Sequence, residues 1–130
     1  MSGARALCWP APHSPWQLAL GFSVWSLWFV VAYVGLSLGC AMAPPPAGPG
    51  AFTALNLGLS LWTVATVGML LAAAWVCLRA WRAARAPGPH GPAGAARRRF
   101  MAGLSALLHL AAAGATVFVG LPLVWLPPCL

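Results

Sequence analysis

The sequence predicts an all-α membrane protein: three transmembrane helices, with the N-terminus inside and the C-terminus outside. Three observations carry that prediction. Of 130 residues, 62% are hydrophobic and only 5% are charged, against about 25% charged in a soluble domain. The apolar residues fall into three long runs, each exceeding the ~20 residues needed to span a bilayer. Arg79, Arg82, Arg85, Arg97, Arg98 and Arg99 crowd the connection between the second and third runs, where the positive-inside rule puts a cytoplasmic loop. In water so apolar a chain would expose large greasy patches and aggregate.

Residues 1–15 read as a cytoplasmic N-terminal segment. They carry Arg5, Cys8 and His13, and Pro10, Pro12 and Pro15 delay any helix. Ser14 suits an N-cap, with Pro15 in the first helical position. The first span is expected over residues 16–43, with Trp16 at its interfacial end. Its length exceeds the ~7–15-residue apolar core of a cleaved signal peptide. Ser37, Leu38 and Gly39 stand before Cys40 in the wrong order for a lipoprotein signal. Residues 44–52 (PPPAGPGAF) form an uncharged outer turn. The second span covers 53–78, and the basic connection covers 79–99. The arginines just past residue 78 can carry the helix into the headgroups, their stems snorkelling outward, and His90 sits in a flexible Pro/Gly linker. The third span covers 100–126, and residues 127–130 form the outer C-terminus. Neither presumed outer segment carries a charge.

The chain has no Asp and no Glu, and its net charge is +7. No carboxylate pair can act as acid and base, and no side-chain carboxylate can hold Mg²⁺ or Ca²⁺. His13 and His90 lack an orienting group for nucleophilic catalysis. A non-catalytic protein is therefore expected, with no cofactor. The arginines follow membrane topology, so membrane lipids rather than nucleic acid are the expected partners. Alanine-, glycine-, proline- and arginine-rich usage without lysine looks like a GC-rich bacterium, which makes the bacterial inner membrane the expected location.

Packing between helices in lipid relies on small residues and interhelical hydrogen bonds. In the first span Gly21, Ala32, Gly35 and Gly39 recur at helical spacing. In the second, Asn56, Ser60, Thr63 and Thr66 form a polar stripe, with Ala65, Gly68 and Ala72 further in. In the third, Ser105, His109, Ala112, Thr116 and Gly120 share one face, while Leu104, Leu107, Leu108, Val117 and Phe118 suit lipid. Phe22, Trp25, Trp28, Phe29 and Tyr33 load the first span with aromatics, and Trp62 and Trp75 lie in the second. Such rings either pack within the bundle or dock on a larger subunit.

His109 is the one ionisable group well inside a span, a default functional candidate. Met69 lies at a similar depth by residue count, and His/Met is a haem ligation type. A histidine hydrogen-bonded across helices is the plainer reading, and a proton relay is a third. Cys40 and Cys129 fall on the outer side, where a disulfide can form. With Met42 they are also soft ligands of the Cu(I) kind. Cys8 and Cys77 fall on the inner side as inert, packed thiols.

Trp25, Trp28, Phe29, Tyr33, Gly39 and Cys40, with the ending Pro127-Pro128-Cys129, resemble small three-helix membrane proteins that accompany haem–copper (cytochrome c) oxidases in bacteria. The resemblance covers the first helix and the last few residues and transfers no functional residue. It implies an accessory role beside a respiratory oxidase. The leading expectation is an accessory or assembly subunit of a larger inner-membrane complex; the alternative is a small oligomeric transporter or channel. A regulator that binds anionic lipids through the arginine loop is a third class.

Overall fold

The computed structural model describes residues 14–42, 44, 52–85, 91–127 and 129. Among them all regular structure is helical: α1 (Trp16–Met42), α2 (Ala54–Ala83), α3 (Gly91–Gly120) and the single turn α4 (Pro122–Trp125). Three helices are long and apolar enough to cross a membrane. In lipid a backbone must satisfy its own polar groups, and a helix does so within one segment. At 1.5 Å per residue the 27-residue α1 is about 40 Å long. It therefore overshoots a ~30 Å hydrocarbon core, and its ends reach the headgroups. Arg5, Cys8, His13, His90, Pro128 and the turn over 45–51 lie outside the described residues.

Boundaries differ from expectation at three places. The stretch 79–99 is largely helical: Arg79 and Arg82 ride on α2, Arg97, Arg98 and Arg99 on α3, and Arg85 in the turn after α2. Alanine and arginine are strong helix formers, so the helices run past the apolar runs until Pro87, Gly88 and Pro89 separate them in sequence. At the other end α3 stops at Gly120 rather than at Leu126. Pro122 has no N–H and its ring clashes with the carbonyl four residues earlier. The chain bends there into α4, with the Leu121 N–H still donating to the Val117 carbonyl at 2.9 Å. Thr53 lies outside the second helix as its N-cap, its hydroxyl accepting from the Asn56 N–H at 3.2 Å. At the start of α1 the Ser14 carbonyl accepts from the Gln17 N–H at 3.0 Å.

The pair α2–α3 is the main contact, and α1 lies over both. Only 17% of α1's most apolar window is buried, against 33% for α2, so α1 is the peripheral helix. Gly35 and Gly39 form the trough in which it meets α2. A methyl added at Gly35 would stand 3.1 Å from Leu59 Cδ2, and one at Gly39 2.7 Å from Leu55 Cδ2. The α3 stripe is buried at Ser105, His109, Thr116 and Gly120, with Ala113 in the core and Ala112 at its edge. On α2, Asn56, Thr63 and Thr66 are buried and Ser60 is half-buried. Ala65, Gly68 and Ala72 are exposed, a correction: the half of α2 toward the arginines packs through Leu70, Ala73, Ala74 and Cys77. A lipid-surrounded helix is apolar on every side, so composition does not mark the packed face. Leu107, Leu108, Val117 and Phe118 face outward as expected for lipid contact, whereas Leu104 is half-buried.

Candidate functional site

Polar contacts fall in four layers along the bundle; three join different elements, and the one at His109 lies within α3 rather than across helices as expected. At the end of the bundle opposite the arginines Cys40 of α1 and Cys129 form a disulfide, with Cα atoms 5.6 Å apart, inside the usual range for a bridge. Beside it the Asn56 amide Nδ2 donates to the Leu126 carbonyl at 3.0 Å. The chain after α3 is thereby tied to α1 by a covalent bond and to α2 by a hydrogen bond. The disulfide occupies both thiols, which removes the thiolates that a Cu(I) site at Cys40, Met42 and Cys129 would need. Met42 is exposed.

One step in from the disulfide end three helices meet at one point. The Trp28 indole of α1, 1% exposed, donates from Nε1 to the Thr63 hydroxyl of α2 at 3.1 Å. That hydroxyl donates in turn to the Leu59 carbonyl at 2.8 Å. Gly120 of α3 closes the junction: a Cβ there would lie 2.8 Å from Thr63 Cγ2 and 3.7 Å from Trp28 Cζ2. A buried indole N–H needs a partner, and here an interhelical hydroxyl supplies it. Thr66 and Thr116 bond to the carbonyls of Trp62 and Ala112 on their own helices, the satisfied state for a hydroxyl in a span.

Deeper toward the arginine end, His109 is 2% exposed. Its Nδ1 lies 2.7 Å from the Ser105 carbonyl. A carbonyl only accepts, so Nδ1 carries the proton in this contact. The imidazole lies on Gly21 of α1, where an added Cβ would touch the ring at 3.5 Å. Gln17, one turn earlier on α1, is fully buried, as are Ser105 and the free thiol of Cys77. Met69 is 46% exposed on the outside of α2, so the expected His109/Met69 pair is not assembled. Among the described residues no group of three metal-ligating side chains comes together.

At the arginine end Trp81 is the organising ring. The Arg85 guanidinium carbon is 4.4 Å from its centroid and that of Arg99 is 5.1 Å away. The Arg79 guanidinium carbon is 5.7 Å from the Trp75 centroid. These are cation–π distances. The ring edge of Trp81 lies against Gly103, where an added Cβ would stand 3.1 Å away. Arg82 and Arg97 are exposed and Arg98 half-exposed.

Sequence reasoning missed Gln17 and Trp81. A lone amide in the first turn of an apolar run, and an indole with arginines at i+4 and beyond the following break, were the available signals. Comparison with known protein families, with characterised proteins and with solved structures finds no match to this chain.

Proposed function

We propose that this protein is a non-catalytic accessory or assembly subunit of a larger bacterial inner-membrane complex, of the kind built around a respiratory oxidase. The observation that carries the reading is the outer face of α1. Phe22 tilts against Trp25 and Trp25 stacks on Phe29, with centroids 5.9 and 5.8 Å apart, and Tyr33 follows one turn on. Phe22 and Tyr33 are 68% and 66% exposed. Counted along the helix, Tyr33 lies about 25 Å from Trp16 and about 13 Å short of the helix end at Met42, on the lipid-facing side of the span. A phenol facing lipid there has nothing to bond, whereas a neighbouring helix offers carbonyls and side chains. The absence of any carboxylate and the resemblance to oxidase-associated proteins favour an accessory role.

The arginine end is assigned to the cytoplasm. Charge bias supports this, and so does redox chemistry, because a disulfide persists in the periplasm and not in the cytosol. The bridge lies at the end opposite the arginines, and the free thiol Cys77 lies two residues from Arg79.

Mild detergent extraction, native electrophoresis and mass spectrometry test the reading. The wild-type chain is expected to co-migrate with a defined respiratory complex, and the triple variant F22L/F29L/Y33L to run free with its disulfide intact. A wild-type chain that runs alone as a monomer overturns the proposal. A homo-oligomer that passes ions in liposomes would favour the channel alternative.

A further inference from the structure

A groove of about 500 Å³ opens between α2 and α3 at the arginine end, within the ~300–1,000 Å³ range of ordinary ligand clefts. Its mouth is Trp81 and Arg99, and its floor is Phe100, Leu104 and Leu107. Those three floor residues sit at i, i+4 and i+7 on α3, so they share one face and run about 10 Å along the span. The groove is polar at the headgroup level and wholly apolar below it.

The mouth has an electrostatic problem that the chain does not solve. Arg85 and Arg99 converge on the same indole, which places two guanidiniums closer than the ~10 Å Debye length at 0.1 M salt. The chain contains no Asp or Glu to stand between them. Their counter-ion comes from outside the protein. A guanidinium matches a phosphate in geometry as well as charge, through paired N–H donors, and the aliphatic floor asks for a hydrocarbon chain attached to that phosphate.

We propose that this groove binds an anionic phospholipid, its phosphodiester held between Arg85 and Arg99 beside Trp81 and one acyl chain laid along Phe100, Leu104 and Leu107. The site is separate from the α1 ridge, so it stands whether or not the accessory reading does. A zwitterionic lipid fits less well, because its own ammonium would sit near two guanidiniums.

The test uses the purified full-length chain in nanodiscs of phosphatidylcholine doped with phosphatidylglycerol, with retained lipid counted by native mass spectrometry. The wild type is expected to prefer phosphatidylglycerol over phosphatidylcholine by about tenfold or more, at roughly a factor of five per basic contact. The R85Q/R99Q variant should lose most of that preference. The R82Q/R97Q variant, with the same net charge but with the Arg85 and Arg99 contacts to Trp81 intact, should keep it. Phosphatidylglycerol brominated in its acyl chains should quench the wild type more than W81F. Equal losses in the two double variants would mean a diffuse surface attraction and overturn the site. Displacement of the lipid by millimolar glycerol phosphate would mean a free-phosphate site and overturn the lipid assignment. An intact disulfide and unchanged helical circular dichroism in R85Q/R99Q establish that the variant is folded.

Discussion

Gly120→Ala should destabilise the bundle through an atom that is not part of Gly120's own helix. The new methyl would stand 2.8 Å from Thr63 Cγ2, about 1 Å inside a comfortable carbon–carbon contact. Thr63 is not free to rotate away. Its hydroxyl accepts from Trp28 at 3.1 Å and donates to the Leu59 carbonyl at 2.8 Å. Rotation breaks both bonds and leaves an indole N–H buried inside the bundle. Overpacking of this kind costs ~1–3 kcal/mol, and interhelical hydrogen bonds in membranes average ~0.6 kcal/mol with a maximum near 1.7. Alanine's better helix propensity returns at most ~1 kcal/mol, and less if the helices persist in the unfolded state in the bilayer. The net expectation is a loss of about 1–2 kcal/mol, a roughly 5- to 30-fold rise in the unfolding constant.

Reversible unfolding in mixed dodecylmaltoside and SDS micelles, followed by tryptophan fluorescence with the disulfide intact, measures it. The diagnostic partner is Thr63→Ser, which deletes Cγ2 and keeps the hydroxyl. In the Gly120→Ala background it should recover about 1 kcal/mol, a coupling typical of residues in contact. Gly114→Ala, where a Cβ meets nothing within 4 Å, should be neutral or slightly stabilising. A Gly120→Ala protein within ~0.5 kcal/mol of wild type, or one that Thr63→Ser does not rescue, would refute the three-helix junction as drawn here.

Three further outcomes follow from other layers. Reduction, or Cys40→Ser, opens a loop of sequence separation 89; chain entropy sets an upper limit of about 4.6 kcal/mol for the loss, lowered because the bilayer already restrains the unfolded helices, and micelle unfolding with and without dithiothreitol measures it. In a Cys8→Ser background the folded protein should resist maleimide at every thiol, with Cys77 alone reacting once SDS opens the core and Cys40 and Cys129 reacting only after reductant; early labelling of Cys77 would contradict its burial. At Gly21 an alanine is expected to be near neutral, since its Cβ would touch the His109 ring at an ordinary 3.5 Å, whereas Gly21→Leu should cost ~1–3 kcal/mol by overpacking, read by the same titration.

What the amino-acid order determined alone was the number of spans and which segment carries the charge. Bilayer chemistry makes that readable: twenty or more apolar residues in a row have few alternatives to a helix, and an arginine cluster needs no partner to mark itself. The third-span stripe was readable too, because Ser105, His109, Thr116 and Gly120 are small or polar against a leucine-rich back. The half of α2 toward the arginines was not. Ala65, Gly68 and Ala72 look like packing residues, yet Leu70, Ala73, Ala74 and Cys77 are buried in their place, because lipid and protein interior are equally apolar and leave no contrast to read.

Tertiary structure decided which groups meet. Trp28, Thr63 and Gly120 are far apart in the chain, and only the crossing of three helices makes one indole, one hydroxyl and one missing side chain a unit. Likewise Arg85 and Arg99 reach one Trp81 ring only because alanine-rich helix extends α2 and α3 beyond their apolar runs and brings their ends side by side. Hydropathy reports the transfer of each residue into the membrane; it carries no information on the rotation of one helix against another, and that rotation is what builds the junction and the groove.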